Sequence, residues 1–126
     1  MAKVEIKSDR LIISMEGARK LWALKSEIST PLSNVLGATV DADVWEDTPK
    51  FGEKRVGVDA YGHYFAGTFI QDSNKVFYDL KRKENAVVIT LKDEEFNRLI
   101  IGVEDPQATV EMIEQAMNRA NFVKET

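Results

Sequence analysis

The chain has one histidine, His63, four residues after Asp59. An imidazole beside a carboxylate is the start of a nucleophile-activating set, with a serine or threonine hydroxyl as the third member. Such sets are made by geometry, and no serine here sits in a nucleophile-elbow pattern. His63 and Asp59 therefore read first as surface or packing groups, and an enzyme built on them is kept only as a third class of function. One histidine among scattered carboxylates is no metal-ligand set. There is no cysteine, so a thiolate zinc site and a disulfide framework are both excluded. Asp41, Asp43, Glu46 and Asp47 lack the glycine and closing glutamate of a calcium loop. They read as a solvated strand end. Asp93-Glu94-Glu95 would need a pocket and shifted acidities for acid–base work, and reads as a solvated hairpin turn. Gly52, Gly57, Gly62 and Gly67 recur every five residues, which matches neither a dinucleotide fingerprint nor a phosphate loop. No catalytic residue, cofactor or metal is expected.

Two constellations remain, and both are suited to binding. Lys81-Arg82-Lys83, with Lys75 nearby, forms a weak anion patch for phosphate or anionic lipid. At about 1 kcal/mol per basic residue near an anionic surface, three residues give weak, salt-sensitive contact. Membrane contact is thus expected to be peripheral at most. Net charge is −4, with 9 Lys/Arg against 10 Asp/Glu through His63 and 8 against 11 after it. Duplex recognition needs a basic footprint, so nucleic acid is not an expected partner. The second constellation is Trp45, Phe51, Arg55 and Tyr61. Aromatic residues and arginine dominate binding hot spots, and these four lie in the least regular stretch, residues 41–62. A loop of that length in a small domain is more often functional than idle. They are the candidate recognition surface.

The frame that must position these groups reads as strands with one helix at the end. Val4 and Ile6 alternate with Lys3, Glu5 and Lys7, the period of a half-buried strand. Further strand-like runs are 11–15, 26–32, 35–40, 64–70, 75–80, 86–91 and 98–103. Turn chemistry at Ser8-Asp9, Asp72-Ser73-Asn74, residues 81–85 and Asp93-Glu94-Glu95 separates several of them. Residues 18–25 are ambiguous, with Trp22 read as core. Spacing of about 11 residues between turns is the mark of an antiparallel sandwich or barrel. Asp105 can cap a helix and Pro106 suits its first position, where a missing N–H costs nothing. Val110, Ile113, Met117 and Ala120 then form one apolar stripe, widened by Met112 and Ala116. This predicts a helix over about 106–120 that closes the sheet. The length of 126 residues suits one domain, 1–126. The charged alternation at the N-terminus is unlike an export leader, and a cytoplasmic protein is the default expectation.

Several stretches resemble bacterial pleckstrin-homology-like domains. They are Gly17-Ala18-Arg19-Lys20-Leu21-Trp22-Ala23-Leu24-Lys25, the run from Ile28 to Val35, Arg55-Val56-Gly57, Gly62, and Ala66-Gly67-Thr68-Phe69. The closing run from Leu99 to Pro106 is similar too. The resemblance implies a mainly β fold: a seven-stranded antiparallel bent sheet or barrel capped by a C-terminal helix. It also implies a non-enzymatic role in protein–protein interaction or self-association, in a family of uncharacterised function. The alternative is a module that binds a small apolar ligand or anionic lipid. Exposed sheet edges pair unless blocked, so a homo-oligomer is a further expectation.

Overall fold

The computed structural model describes residues 1–15, 27–44, 55–59, 64–81 and 84–125, with backbone alone at 55–59 and 123–125. Alternation of apolar and polar residues carries the chain into strands β1 Lys3–Lys7, β2 Arg10–Ser14, β3 Glu27–Pro31 and β4 Val35–Val40. A single 3-10 turn, Leu32–Asn34, separates β3 from β4. There follow β5 Arg55–Asp59, β6 Tyr64–Gln71, β7 Asn74–Lys81, β8 Asn85–Leu91 and β9 Arg98–Val103, and then helix α1, Pro106–Glu125. The expectation of a mainly β chain ending in one helix holds. The helix runs about a turn beyond the expected 106–120.

The finer expectation needs correction. Among the described residues there are nine strands, not seven, in a three-stranded sheet β1-β2-β3 and a six-stranded sheet β4-β8-β9-β7-β6-β5. These sheets do not close into a barrel. Nor is every pair antiparallel: β9 lies between β7 and β8 and runs parallel to β7, with Phe77 beside Leu99 and Tyr78 beside Ile100. The physical reason lies in β9 itself. Leu99, Ile100, Ile101, Gly102 and Val103 are buried without alternation, and a strand apolar on both faces must lie inside a sheet. The chain therefore leaves β7, places β8 one position further out, and returns to fill the gap. Strand β5 is hard to see in the sequence because its two valines flank a glycine within a charged stretch.

Each face of the large sheet buries its own cluster. On one side Phe77, Val87, Ile89, Leu99 and Ile101 meet Leu11 and Ile13 of the small sheet and Ile113 and Ala116 of α1. On the other, Phe65, Phe69, Val76, Tyr78, Leu80 and Ile100 gather, with the Phe69 and Tyr78 rings edge to face at 5.4 Å. The predicted stripe of α1 is the one it buries. Ile113 is fully enclosed, and Val110, Met117 and Ala120 pack at its margin. The Asp105 carboxylate caps the helix as expected, accepting from the Ala108 N–H at 3.1 Å. Among the described residues, no helix is long and apolar enough to cross a membrane.

Candidate functional site: a groove between the first strand and the helix

The β1–β2 hairpin closes with Lys7 opposite Arg10 around Ser8-Asp9, and Ser8 takes the left-handed conformation at φ 54°. In a two-residue hairpin the closing pair exchanges backbone hydrogen bonds, and bonded pairs then alternate. Lys3, Glu5 and Lys7 thus turn their amides and carbonyls toward β2. Ala2, Val4 and Ile6 turn theirs outward. Ala2 shows this directly, since its N–H donates to the Gly102 carbonyl of β9 at 2.8 Å. Beyond that bond β1 parts from the large sheet, and among the described residues Val4 and Ile6 pair with no second strand.

Helix α1 is the opposite wall. Two depressions, with no lining residue in common, lie between it and the chain from Ala2 to Asp9. The upper one, about 290 Å³, is lined by Ala2 and Val4, by Glu104 and Asp105, and by Ala108 and Met112. The lower one, about 300 Å³, is lined by Ile6, Ser8, Asp9 and Leu32 against Ala116, Arg119 and Ala120. Ala108, Met112, Ala116 and Ala120 recur every four residues, so they share a face of the helix. Small side chains on that face keep the groove open. The side chains of Val4 and Ile6 pack on the core. Lys3, Glu5 and Lys7 take the other face, where Glu5 meets Lys3 at 3.1 Å and Lys7 at 3.7 Å. The hydrogen bond from Lys3 is the main reason the Glu5 carboxyl is held below its ordinary range.

A third depression, about 140 Å³, lies along β3. Glu27, Ile28, Ser29 and Thr30 face Leu91, Glu94, Glu95 and Phe96 across it. The reading of Asp93-Glu94-Glu95 as merely solvated fails at its middle residue. Glu94 Oε1 accepts from the Thr30 hydroxyl at 2.6 Å and from the Asn34 side-chain amide at 3.0 Å. These bonds, the Thr30 one first, hold its carboxyl below the ordinary 4.5, with Arg10 adding to the effect and desolvation opposing it. Glu94 thereby ties the small sheet to the turn before β9. Glu95 pairs with Lys75 at 3.2 Å. The outer edge of β3 is guarded, since Pro31 offers no donor and Arg10 binds the Ser29 hydroxyl and carbonyl. Of the small sheet's two edges among the described residues, β1 is the one with two outward residues, Val4 and Ile6, and a groove beside it; β4 and β5 are the edges of the large sheet.

Inside the protein, the Tyr64 hydroxyl donates to Asp79 at 2.8 Å, and the Tyr78 hydroxyl to Gln71 at 2.5 Å. None of the three depressions is lined by these residues. They hold strands together within the core.

Of the residues singled out from sequence, Trp45, Phe51, Tyr61, His63, Arg82 and Lys83 lie outside the described residues. Arg55 and Asp59 bound strand β5, placed by backbone alone. Lys81 ends β7, exposed, with its ammonium 6.0 Å from the centre of the Tyr64 ring. Among the described residues no three histidine or acidic side chains gather as metal ligands do. The β1–α1 groove escapes a reading of the sequence because its walls lie some 100 residues apart. The one available signal is the row of Ala108, Met112, Ala116 and Ala120 at intervals of four in the helix. No family model matches the chain, and neither a curated protein nor a solved structure does.

Proposed function

We propose that this chain is a non-catalytic interaction module that holds an extended segment of a partner protein in the groove between β1 and α1. The observation that carries this is the pair of outward-facing backbone positions, Val4 and Ile6, beside an apolar helical wall. Addition of a strand to a free sheet edge draws affinity from backbone hydrogen bonds and specificity from pockets for alternate side chains. A pleckstrin-homology-like family is part of the same proposal. The resemblance in sequence and the helix that directly follows the last strand support it, and the parallel β7–β9 pair counts against it. A photo-reactive residue at Ala120 tests the docking reading in the source cell. It is expected to form a protein adduct, and Ile6→Pro to diminish it, because proline removes the outward donor and leaves the β2 ladder intact. Adducts unchanged by Ile6→Pro would refute the reading.

The lower depression favours a second reading, a small apolar ligand with an acidic group beside Arg119. Native mass spectrometry of the purified protein would show the retained mass, and a bare chain would remove this reading.

A further inference from the structure

The groove carries a charge pattern along its length, and the selectivity derived from that pattern rests on reading the groove as a docking site for an extended segment. Glu104 and Asp105 line its upper end. Arg119 stands at its lower end against one carboxylate, Asp9. Among the described residues, neither the Arg119 guanidinium nor the Glu104 carboxylate is engaged in a hydrogen bond or ion pair. From Asp105 to Arg119 the helix rises about 21 Å. Six strand steps cover about 20 Å, the span from Ala2 to Ser8 that contains β1.

The occupant favoured by this charge pattern is a single mixed-charge strand. Charge does not bar self-pairing of β1, since Val4 opposite Val4 would set Lys3 against Glu5; a dimer by light scattering, with the Val4 and Ile6 amides already protected in the absence of peptide, would overturn the peptide reading.

Antiparallel pairs outnumber parallel ones, so the segment enters at the Arg119 end. Positions two apart on a strand share a face. We infer that the groove selects an extended segment with an acidic residue against Arg119 and, six positions later, a basic residue against Glu104 and Asp105. Apolar residues at the two intervening positions of that face pack along α1 beside the half-buried Met112. The ligand class is therefore a mixed-charge peptide strand of about seven residues.

The test uses two labelled peptide amides, Asp-Thr-Val-Thr-Val-Thr-Lys and its charge-exchanged form, Lys-Thr-Val-Thr-Val-Thr-Asp. Fluorescence anisotropy measures binding to the whole chain, and hydrogen exchange reads the Val4 and Ile6 amides. The first peptide is expected to bind about tenfold more tightly, the effect of two exposed ion pairs gained rather than two repulsions. The double variant Glu104→Lys, Arg119→Glu is expected to invert the preference. Equal binding of both peptides, or a preference that the double variant leaves in place, overturns the charge selection and spares the groove. If neither peptide slows exchange at Val4 and Ile6, the groove reading falls as well.

Discussion

Thr30→Val isolates the contact that ties the two sheets together. Thr30 is only 1% exposed, and valine matches its shape while deleting the hydroxyl that donates to Glu94 at 2.6 Å. A hydrogen bond to a charged group contributes about 1.5–3 kcal/mol. Two effects reduce the loss. Glu94 is half-buried, so water can replace the donor, and a methyl group suits the buried site better than a hydroxyl. The expected net cost at pH 7 is about 1–2 kcal/mol, or about 4–8 °C in Tm for a domain of this size. The pH dependence supplies the sharper check. The Glu94 carboxyl is held below its ordinary value in the folded state, chiefly by Thr30. Its stabilising effect is complete above the unfolded value of 4.5 and is lost as pH falls through the lower, folded value. Thr30→Val removes the leading cause of that depression, so the gap between variant and parent should shrink as pH falls below 4.5. Urea unfolding followed by far-ultraviolet circular dichroism at pH 7 and pH 3 measures both values. Equal stability at pH 7, or a deficit that acid leaves unchanged, would refute the assignment of Glu94 as an ionised latch.

Three further substitutions probe the frame. Ile113→Ala empties a fully enclosed position between α1 and the large sheet; a loss of about 2–5 kcal/mol in urea unfolding is expected, and a loss under about 1 kcal/mol would mean the helix is not seated there. At Gly102 an added Cβ would lie 2.5 Å from Glu84 Oε1 and 2.8 Å from Glu84 Cβ. Gly102→Ala must therefore push Glu84 off the Lys81 amide it accepts at 2.9 Å, costing about 1–3 kcal/mol; in a Glu84→Gly background, which removes the Glu84 Cβ as well, most of that cost should vanish in a double-mutant cycle. Asp105→Ala removes the helix cap and should cost about 1 kcal/mol in thermal unfolding, whereas Asp105→Ser, which can still cap, should recover most of it.

Local chemistry is legible in the sequence. Alternation in Lys3–Lys7, the apolar stripe of the helix, and the Asp105-Pro106 start each depend on neighbours within a few residues, and each appears in the fold at the expected place. Strand order is not legible. That β9 inserts beside β7 depends on the burial of both its faces, and the same apolar run would have served as a central strand in several topologies. The role of Glu94 is hidden in the same way. As one of three consecutive acids it looks solvated, and only the fold brings Thr30 and Asn34 to it from some 60 residues away.

His63 and Asp59, which first suggested nucleophile chemistry, have no partner set in the sequence; His63 lies outside the described residues, and Asp59 is placed by backbone alone. Composition and spacing determined that this is a β-rich chain closed by one capped helix, because periodicity and capping are properties of short stretches. Tertiary structure alone decided which distant groups meet. The outward amides of Val4 and Ile6, the alanines of α1, and the opposed charges of Arg119 and Glu104 carry no mutual signal along the chain. They come together only because the helix must bury its stripe, and the surface that accepts it lies beside the first strand.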